Sequence, residues 1–268
     1  MKIYSCFPGG KSKVLTMSYD DGKHADERLV AIFNQNGIKG TFNLNYGLMA
    51  NPERIDKEKI KELYEGHEIA THTMTHPTIS RCPLTQNAKE ILEDRAGLES
   101  IAGYPVRGHA YPNGSYNEDI KELFTKLGIV YARTADWETG SFELPVDLME
   151  WKATCHHNYN LMKYAKEFAE FKKPQYLKCF YVWGHSYEFD RDNNWELIEE
   201  FCSYMGGRED IWYATNIELV DYMKVCRELQ FGAAGEFVYN PSAAEAWISV
   251  DGRVICVKGG TLVNLKEE

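Results

Sequence analysis

The feature that most limits what this chain can fold into is a repeated alternation of short apolar runs with longer amphipathic ones. Residues 13–17, 39–44, 68–71, 107–110, 129–133, 178–184 and 211–214 read as strands. Residues 25–36, 56–64, 85–101, 117–127 and 193–204 read as helices, and Gly37, Gly66 and Gly128 close three of them. Thr215-x-x-Glu218 is a capping box that opens a last helix running to residue 229. About seven β/α units in series argue for an α/β domain with a parallel, barrel-like sheet. From residue 230 the texture changes. Residues 246–250 and 253–257 flank Asp251-Gly252, a two-residue hairpin turn, and 261–265 read as a third strand. Three short strands bury little by themselves. The expected organisation is therefore a barrel domain over 1–229 and a short β appendage over 230–268 packed on it, with Trp247 as a buried anchor.

Composition narrows the partners. The 268 residues are 44% hydrophobic with a net charge of −10, so a full core is expected and nucleic acid and anionic membrane surfaces are not. The first ten residues lack an apolar leader and no segment reaches the length of a membrane span, so the chain as written reads as cytoplasmic. Seven cysteines without a C-x-x-C pair read as small buried hydrophobes of a reducing compartment.

Two clusters carry chemistry. Asp20-Asp21-Gly22 follows the first long strand, and paired carboxylates at a strand end repel each other unless a cation relieves them. An isolated Asp-Asp-Gly is ordinarily a solvated loop start. Here it is joined by His72-Thr73-Met74-Thr75-His76-Pro77 at the end of another strand. Two histidines four apart share one face of a helical turn, which is how the segment is expected to present both rings to one metal. Imidazoles with a carboxylate suit zinc or a neighbouring divalent ion, and three protein ligands leave a coordination position open.

The two clusters resemble the first two motifs of the polysaccharide deacetylases, carbohydrate esterase family 4. Thr16-Met17-Ser18-Tyr19-Asp20-Asp21-Gly22 is similar to Thr-Phe-Asp-Asp-Gly, and residues 72–77 fit His-Ser/Thr-x-x-His-Pro at every defined position. The resemblance extends over roughly residues 13 to 228. It implies a distorted (β/α)7 barrel whose site lies at the C-terminal ends of the strands. It implies one divalent metal on Asp21, His72 and His76, with zinc expected and Co2+, Ni2+ or Mn2+ as alternatives. Asp20 would be the general base.

Later motifs match less fully. Residues 107–114 stand where the family has Arg-x-Pro-Tyr/Phe-Gly. Aligned on Pro112 and Gly114, the family's Arg position holds Ala110 and its aromatic position holds Asn113. Tyr111 precedes the proline. The resemblance implies that the Asn113 backbone N–H helps bind the oxyanion, a role that survives a change of side chain. The missing arginine leaves Arg107 or Arg133 to pair with Asp20. Asp136-Trp137 keeps the end of the fourth motif, an acid to orient the catalytic histidine and an indole to wall the pocket. Trp183-Gly184-His185 matches the fifth, Leu-x-His, with Trp183 for the leucine and His185 as general acid. The adjacent His156 and His157 read as structural, since neighbouring side chains diverge.

The implied activity is removal of acetyl or other acyl groups from an N- or O-acetylated carbohydrate. Three rivals stay open: a same-fold hydrolase of a non-sugar amide or cyclic imide or ureide, a weakened sugar-binding paralogue, and a structural metalloprotein. The oligomeric state is not legible in the sequence.

Overall fold

The computed structural model describes residues 1–266; the last two residues of the expected 230–268 appendage lie outside it. The chain runs β1 (Ile3–Cys6), β2 (Lys13–Asp20), α1 (Asp26–Gln35), β3 (Gly40–Leu44), α2 (Lys57–Leu63), β4 (Glu68–Thr71), α3 (Leu84–Ala102), β5 (Gly108–Ala110), α4 (Glu118–Lys126) and β6 (Tyr131–Arg133). It continues through β7 (Cys155–His156), α5 (Leu161–Glu170), β8 (Lys178–Gly184), α6 (Tyr187–Arg191), α7 (Trp195–Met205), β9 (Ile211–Tyr213) and α8 (Asn216–Glu228).

Strands β2 to β9 form one parallel sheet, in the order β6-β5-β4-β3-β2-β8-β7 with β9 also pairing with β2. The expected distorted (β/α)7 barrel is what forms. Its centre is β2, with all eight residues buried. β8 takes residues 13–19 of β2, β3 takes 17–20, and β9 takes 13–15. The faces of β2 alternate as strand geometry requires. Leu15, Met17 and Tyr19 join the large apolar core, which also takes in residues of α1, α2, α5 and α7. Thr16, Ser18 and Asp20 bond to polar partners instead: Thr16 Oγ1 donates to Asn216 (2.7 Å), and Asn43 Nδ2 donates to Ser18 and Asp20 (both 2.8 Å).

The sheet closes through a segment that no strand pattern marked. Trp151 N–H donates to the Ala132 carbonyl (2.9 Å) and Thr154 N–H to that of Tyr181 (2.8 Å), so residues 151–156 bridge β6 and β8. Trp151 packs between Tyr131 and Tyr181, at ring distances of 5.7 and 4.7 Å.

After α8 come β10 (Gln230–Phe231), β11 (Phe237–Tyr239), β12 (Ala246–Val250), β13 (Arg253–Val257) and β14 (Leu262–Asn264). The hairpin β12–β13 turns at Asp251-Gly252 with φ of 49° and 90°, the left-handed pair that such a turn requires. The third expected strand is β14, but it pairs with β11, and β1 from the N-terminus adds to β12. Both small sheets share an apolar core with Val225 and Cys226 of α8. Trp247 is not the expected buried anchor: Ala246, Ile248 and Val250 of β12 face this core, whereas Trp247 is half-buried on the other face, its backbone N–H donating to Tyr222 Oη (3.0 Å). No helix among the described residues is long and apolar enough to cross a membrane.

Candidate active site

Asp20 ends β2 and is 3% exposed. Its Oδ1 accepts from Asn43 Nδ2 and its Oδ2 from Arg133 Nη2. His72 Nε2 and His185 Nε2 stand 3.9 and 4.0 Å from the same Oδ2. Burial works to raise the pKa of this carboxyl, but the Arg133 guanidinium and the two imidazoles outweigh it and bring it to about 2. Asp20 is therefore ionised near neutral pH. The β2–β8 register explains the meeting with His185: Tyr19 lies opposite Gly184, so the next residues of the two strands emerge side by side.

Asp21 breaks the strand. Its φ of 83° is left-handed, which is costly for a residue with a Cβ and turns its side chain away from the alternation of β2. The break falls on Asp21 itself, and Gly22 continues it with a φ of 61°. Arg54 holds the turn: its Nη1 donates to the Asp21 carbonyl and to Asn45 Oδ1 (3.1 Å) and lies 3.3 Å from Asp21 Oδ1.

His72 follows β4, and its Nδ1 faces the Ala110 carbonyl at 2.7 Å. A carbonyl only accepts, so Nδ1 carries the proton and Nε2 keeps its lone pair. Burial lowers the pKa of His72 to about 4, so the ring is neutral. The expected helical turn over residues 72–76 is not there. Thr73 and His76 have φ of 66° and 58°, and the segment is an irregular loop. Asn45 Nδ2 donates to the His72 and Thr73 carbonyls, and Glu90 accepts from the Thr75 N–H and hydroxyl. These distant partners fix the loop and still bring the two rings to 4.7 Å. One ligand atom each from Asp21, His72 and His76 lie within 4.8 Å of one another. A carboxylate oxygen and two imidazole nitrogens, one with its tautomer fixed, fit a divalent ion.

The two candidate arginines part company. Arg107 precedes β5, at the far end of the barrel, and forks onto Asp221 of α8 (3.0 and 2.6 Å). Arg133 ends β6 at the near rim, 1% exposed, on Asp20 and with its guanidinium carbon 4.3 Å from the centre of the Trp183 ring. Trp183 Nε1 donates to the Asp136 carbonyl (2.8 Å), while the Asp136 carboxylate accepts from Thr134 Oγ1 (2.5 Å). Trp137 is 54% exposed beside His156 and Trp183. Tyr111 is buried, its hydroxyl donating to the Met149 carbonyl (2.9 Å). Asn113 sits in the turn after β5 with φ 55°, and its Nδ2 donates to Thr78 (3.3 Å).

Sequence reasoning missed Arg54, Asn43 and Glu188. Glu188, three residues past His185, gathers His156, His157 and His185 around one buried carboxylate. The adjacent His156 and His157 thus converge rather than diverge. An i, i+3 acid after a strand-end histidine was a readable signal. A cleft of about 930 Å³ opens beside Asp21 and His76, bordered by Lys23, Arg54, Thr75 and Tyr187.

Fold and site together define a parallel β/α barrel with a candidate Asp-His-His metal centre at the C-terminal rim of its sheet. Residues 8–132, a little under half of the chain, match the family described as polysaccharide deacetylase. A chitooligosaccharide deacetylase of Bradyrhizobium sp. (strain ANU 289) is 28% identical over 129 residues, 47% of this chain and 57% of the relative. One of Rhizobium leguminosarum bv. phaseoli is 26% identical over 141 residues, 52% of this chain and again 57% of the relative. The chain thus spans a little over half the length of these curated relatives. Among solved structures, a Mycobacterium smegmatis protein assigned to the polysaccharide deacetylases superposes with a TM-score of 0.63 at 16% identity, covering 84% of this chain and 94% of that one; this likeness speaks for the fold.

Proposed function

We propose that the chain is a metal-dependent hydrolase that removes acetyl groups from an N- or O-acetylated carbohydrate. The observation that carries the reading is the meeting of five groups at one rim: an Asp20 anion flanked by His72 and His185, with Asp21 and His76 converging on His72. The deacetylase relatives supply the substrate class.

Asp21, His72 and His76 would hold the ion, zinc by donor chemistry. When bound, it supplies Lewis acidity toward an acyl oxygen and makes water more acidic. The chain's own residues do the rest. Asp20, held ionised by Arg133, accepts the proton of the attacking water at Oδ2. His185, 4.0 Å away, donates from Nε2 to the leaving nitrogen or oxygen. The turn after β5 offers the Asn113 N–H to the oxyanion. Trp137, exposed beside the rim, is a surface on which a sugar ring can stack. The test is acetate release from N-acetylated chitooligosaccharides and O-acetylated xylan by zinc-loaded protein. Release that chelation abolishes supports the reading; a folded, zinc-loaded chain that releases none from either sinks it.

A further inference from the structure

We propose that Glu188 is the positioning residue of His185, holding its Nδ1–H so that Nε2 faces Asp20. The inference rests on the reading of His185 as the proton donor and names what orients it.

Glu188 lies in the first turn of α6, directly after β8, and is 5% exposed. Its Oε2 accepts the backbone N–H of His185 (3.3 Å) and stands 3.5 Å from His185 Nδ1. That nitrogen is buried and has no hydrogen-bond partner among the described residues. Other nitrogens lie close to the carboxylate: His156 Nε2 at 2.9 Å and His157 Nε2 at 3.4 Å, neither in hydrogen-bonding geometry, and Arg191 Nη1 at 3.4 Å from Oε1. Asp136, the acid that the fourth motif would supply, is taken by Thr134.

The same cluster has the composition of a second metal centre, since one ligand atom each of His156, His157 and Glu188 lie within 4.8 Å of one another. One hydrogen bond decides against that. The Asn158 backbone N–H donates to His156 Nδ1 (3.2 Å), which places the proton of the neutral ring on Nε2, facing Glu188. A nitrogen that carries its proton has no lone pair for an ion. The hub is therefore a carboxylate with the Nε2–H of His156 beside it and the nearest nitrogens of His157 and His185 within 3.5 Å.

Its effect on His185 follows from charge. The groups facing the ring are Asp20 from the end of β2, Glu188 and Tyr187 from α6, and His156 from β7, and Asp21 adds only the effect of its charge. Burial presses the pKa of His185 down, but Glu188 and Asp20 more than reverse this and hold it above the ordinary histidine value. Glu188 itself is drawn well below the usual carboxylate range by His156 and His185, against its burial. The imidazolium then directs one N–H at Glu188 and the other into the site. When Nε2–H passes to the leaving atom, the ring is left neutral with its remaining proton on Nδ1, still facing Glu188.

The test compares Glu188→Gln with the parent as full-length, zinc-loaded protein. Glutamine keeps an acceptor and the shape but removes the charge. The His185 ring is titrated by NMR, with its resonances assigned through His185→Ala; no substrate is needed. The expected result is a His185 pKa lower by about one unit or more in Glu188→Gln, with Asp136→Asn unchanged. Activity should show kcat down by roughly 10- to 100-fold, KM and zinc content unchanged, and the alkaline limb of the rate profile moved to lower pH. An unmoved His185 titration in Glu188→Gln overturns the proposal even if turnover falls, and so does a titration that follows Asp136 instead. A shifted titration in a chain that deacetylates nothing would retire the carbohydrate reading and leave the Glu188–His185 coupling standing.

Discussion

Arg133 and Asp20 form a buried ion pair between the ends of two strands that are not neighbours. β6 is an edge of the sheet and β2 its centre, with three strands between them. The contact exists because the sheet curls and brings the end of β6 across the barrel mouth. Taking the cation away would leave a carboxylate stranded in a site that burial makes hostile to charge.

Arg133→Met should therefore destabilise the metal-free protein by about 3–5 kcal/mol near neutral pH. The sign with pH is fixed by Asp20. Its folded pKa of about 2 lies below the ordinary 3.8, so the pair's contribution is present above about pH 4 and is lost as pH falls through 2. Urea titrations of both proteins should converge as pH drops from 4 toward 2. A gap that stays constant over that range would mean that Asp20 is not the group Arg133 serves.

Binding and turnover should separate between neighbouring acids. Asp20→Asn is expected to keep about one zinc per chain and to lose turnover by roughly 10²- to 10⁴-fold. His76→Ala should lose both. Zinc content by mass spectrometry, read beside acetate release, checks this. An active Asp20→Asn protein with its metal in place would falsify the assignment of the base.

Strand direction explains much of what could be read in advance. Strands ending at Asp20, Thr71, Arg133 and Gly184 deliver the next side chains to one rim, so the β/α alternation carried most of the site with it. The same rule separates Arg107, before its strand, from Arg133, at the end of its own. What stayed hidden depends on distant partners. The shape of the His72–His76 loop is set by Asn45 and Glu90. β1 pairs with β12, Ile3 opposite Val250, and nothing local in Ile3–Cys6 announces it. α5 is a different case. Leu161, Tyr164, Ala165 and Phe168 have helical spacing and are buried. Asn160 ahead of it is left-handed and offers no side-chain cap, so the start signal is weak.

Gly184 has no room for a side chain. A Cβ there would meet His157 Nδ1 at 2.0 Å and Cε1 at 2.4 Å. Gly184→Ala should cost about 1–3 kcal/mol and, by shifting the end of β8, reduce turnover through the adjacent His185. His157→Ala opens the space, so the double variant should be less destabilised than the sum of the singles. A double-mutant cycle by chemical denaturation measures that coupling; strict additivity would mean that the steric reading is wrong.

Glu68 gives the chain a pH dependence away from the candidate metal site. It is buried at the start of β4, where it accepts from Tyr131 Oη (2.7 Å), Thr41 Oγ1 (2.8 Å) and the Ile217 N–H (2.9 Å). Those three donors lower its pKa, but burial wins and raises it from 4.5 to about 7. The folded protein therefore holds a proton that the unfolded chain has already released. This contribution is fully present below about pH 4.5 and is lost as pH rises through 7, by about 3 kcal/mol in all. Glu68→Gln mimics the protonated form, since its amide oxygen can accept from Thr41 and Ile217 while its NH2 meets a rotated Tyr131 hydroxyl. The variant should gain on the parent as pH rises from 4.5 to 7 and hold a constant lead above that. Asp26 and Asp94 also have raised values, but they are common to both proteins and cancel in the comparison. Denaturation at pH 4.5, 5.5, 6.5 and 7.5 reads the difference directly. A flat difference would mean that Glu68 is already ionised in its buried site, with the three donors outweighing the loss of water.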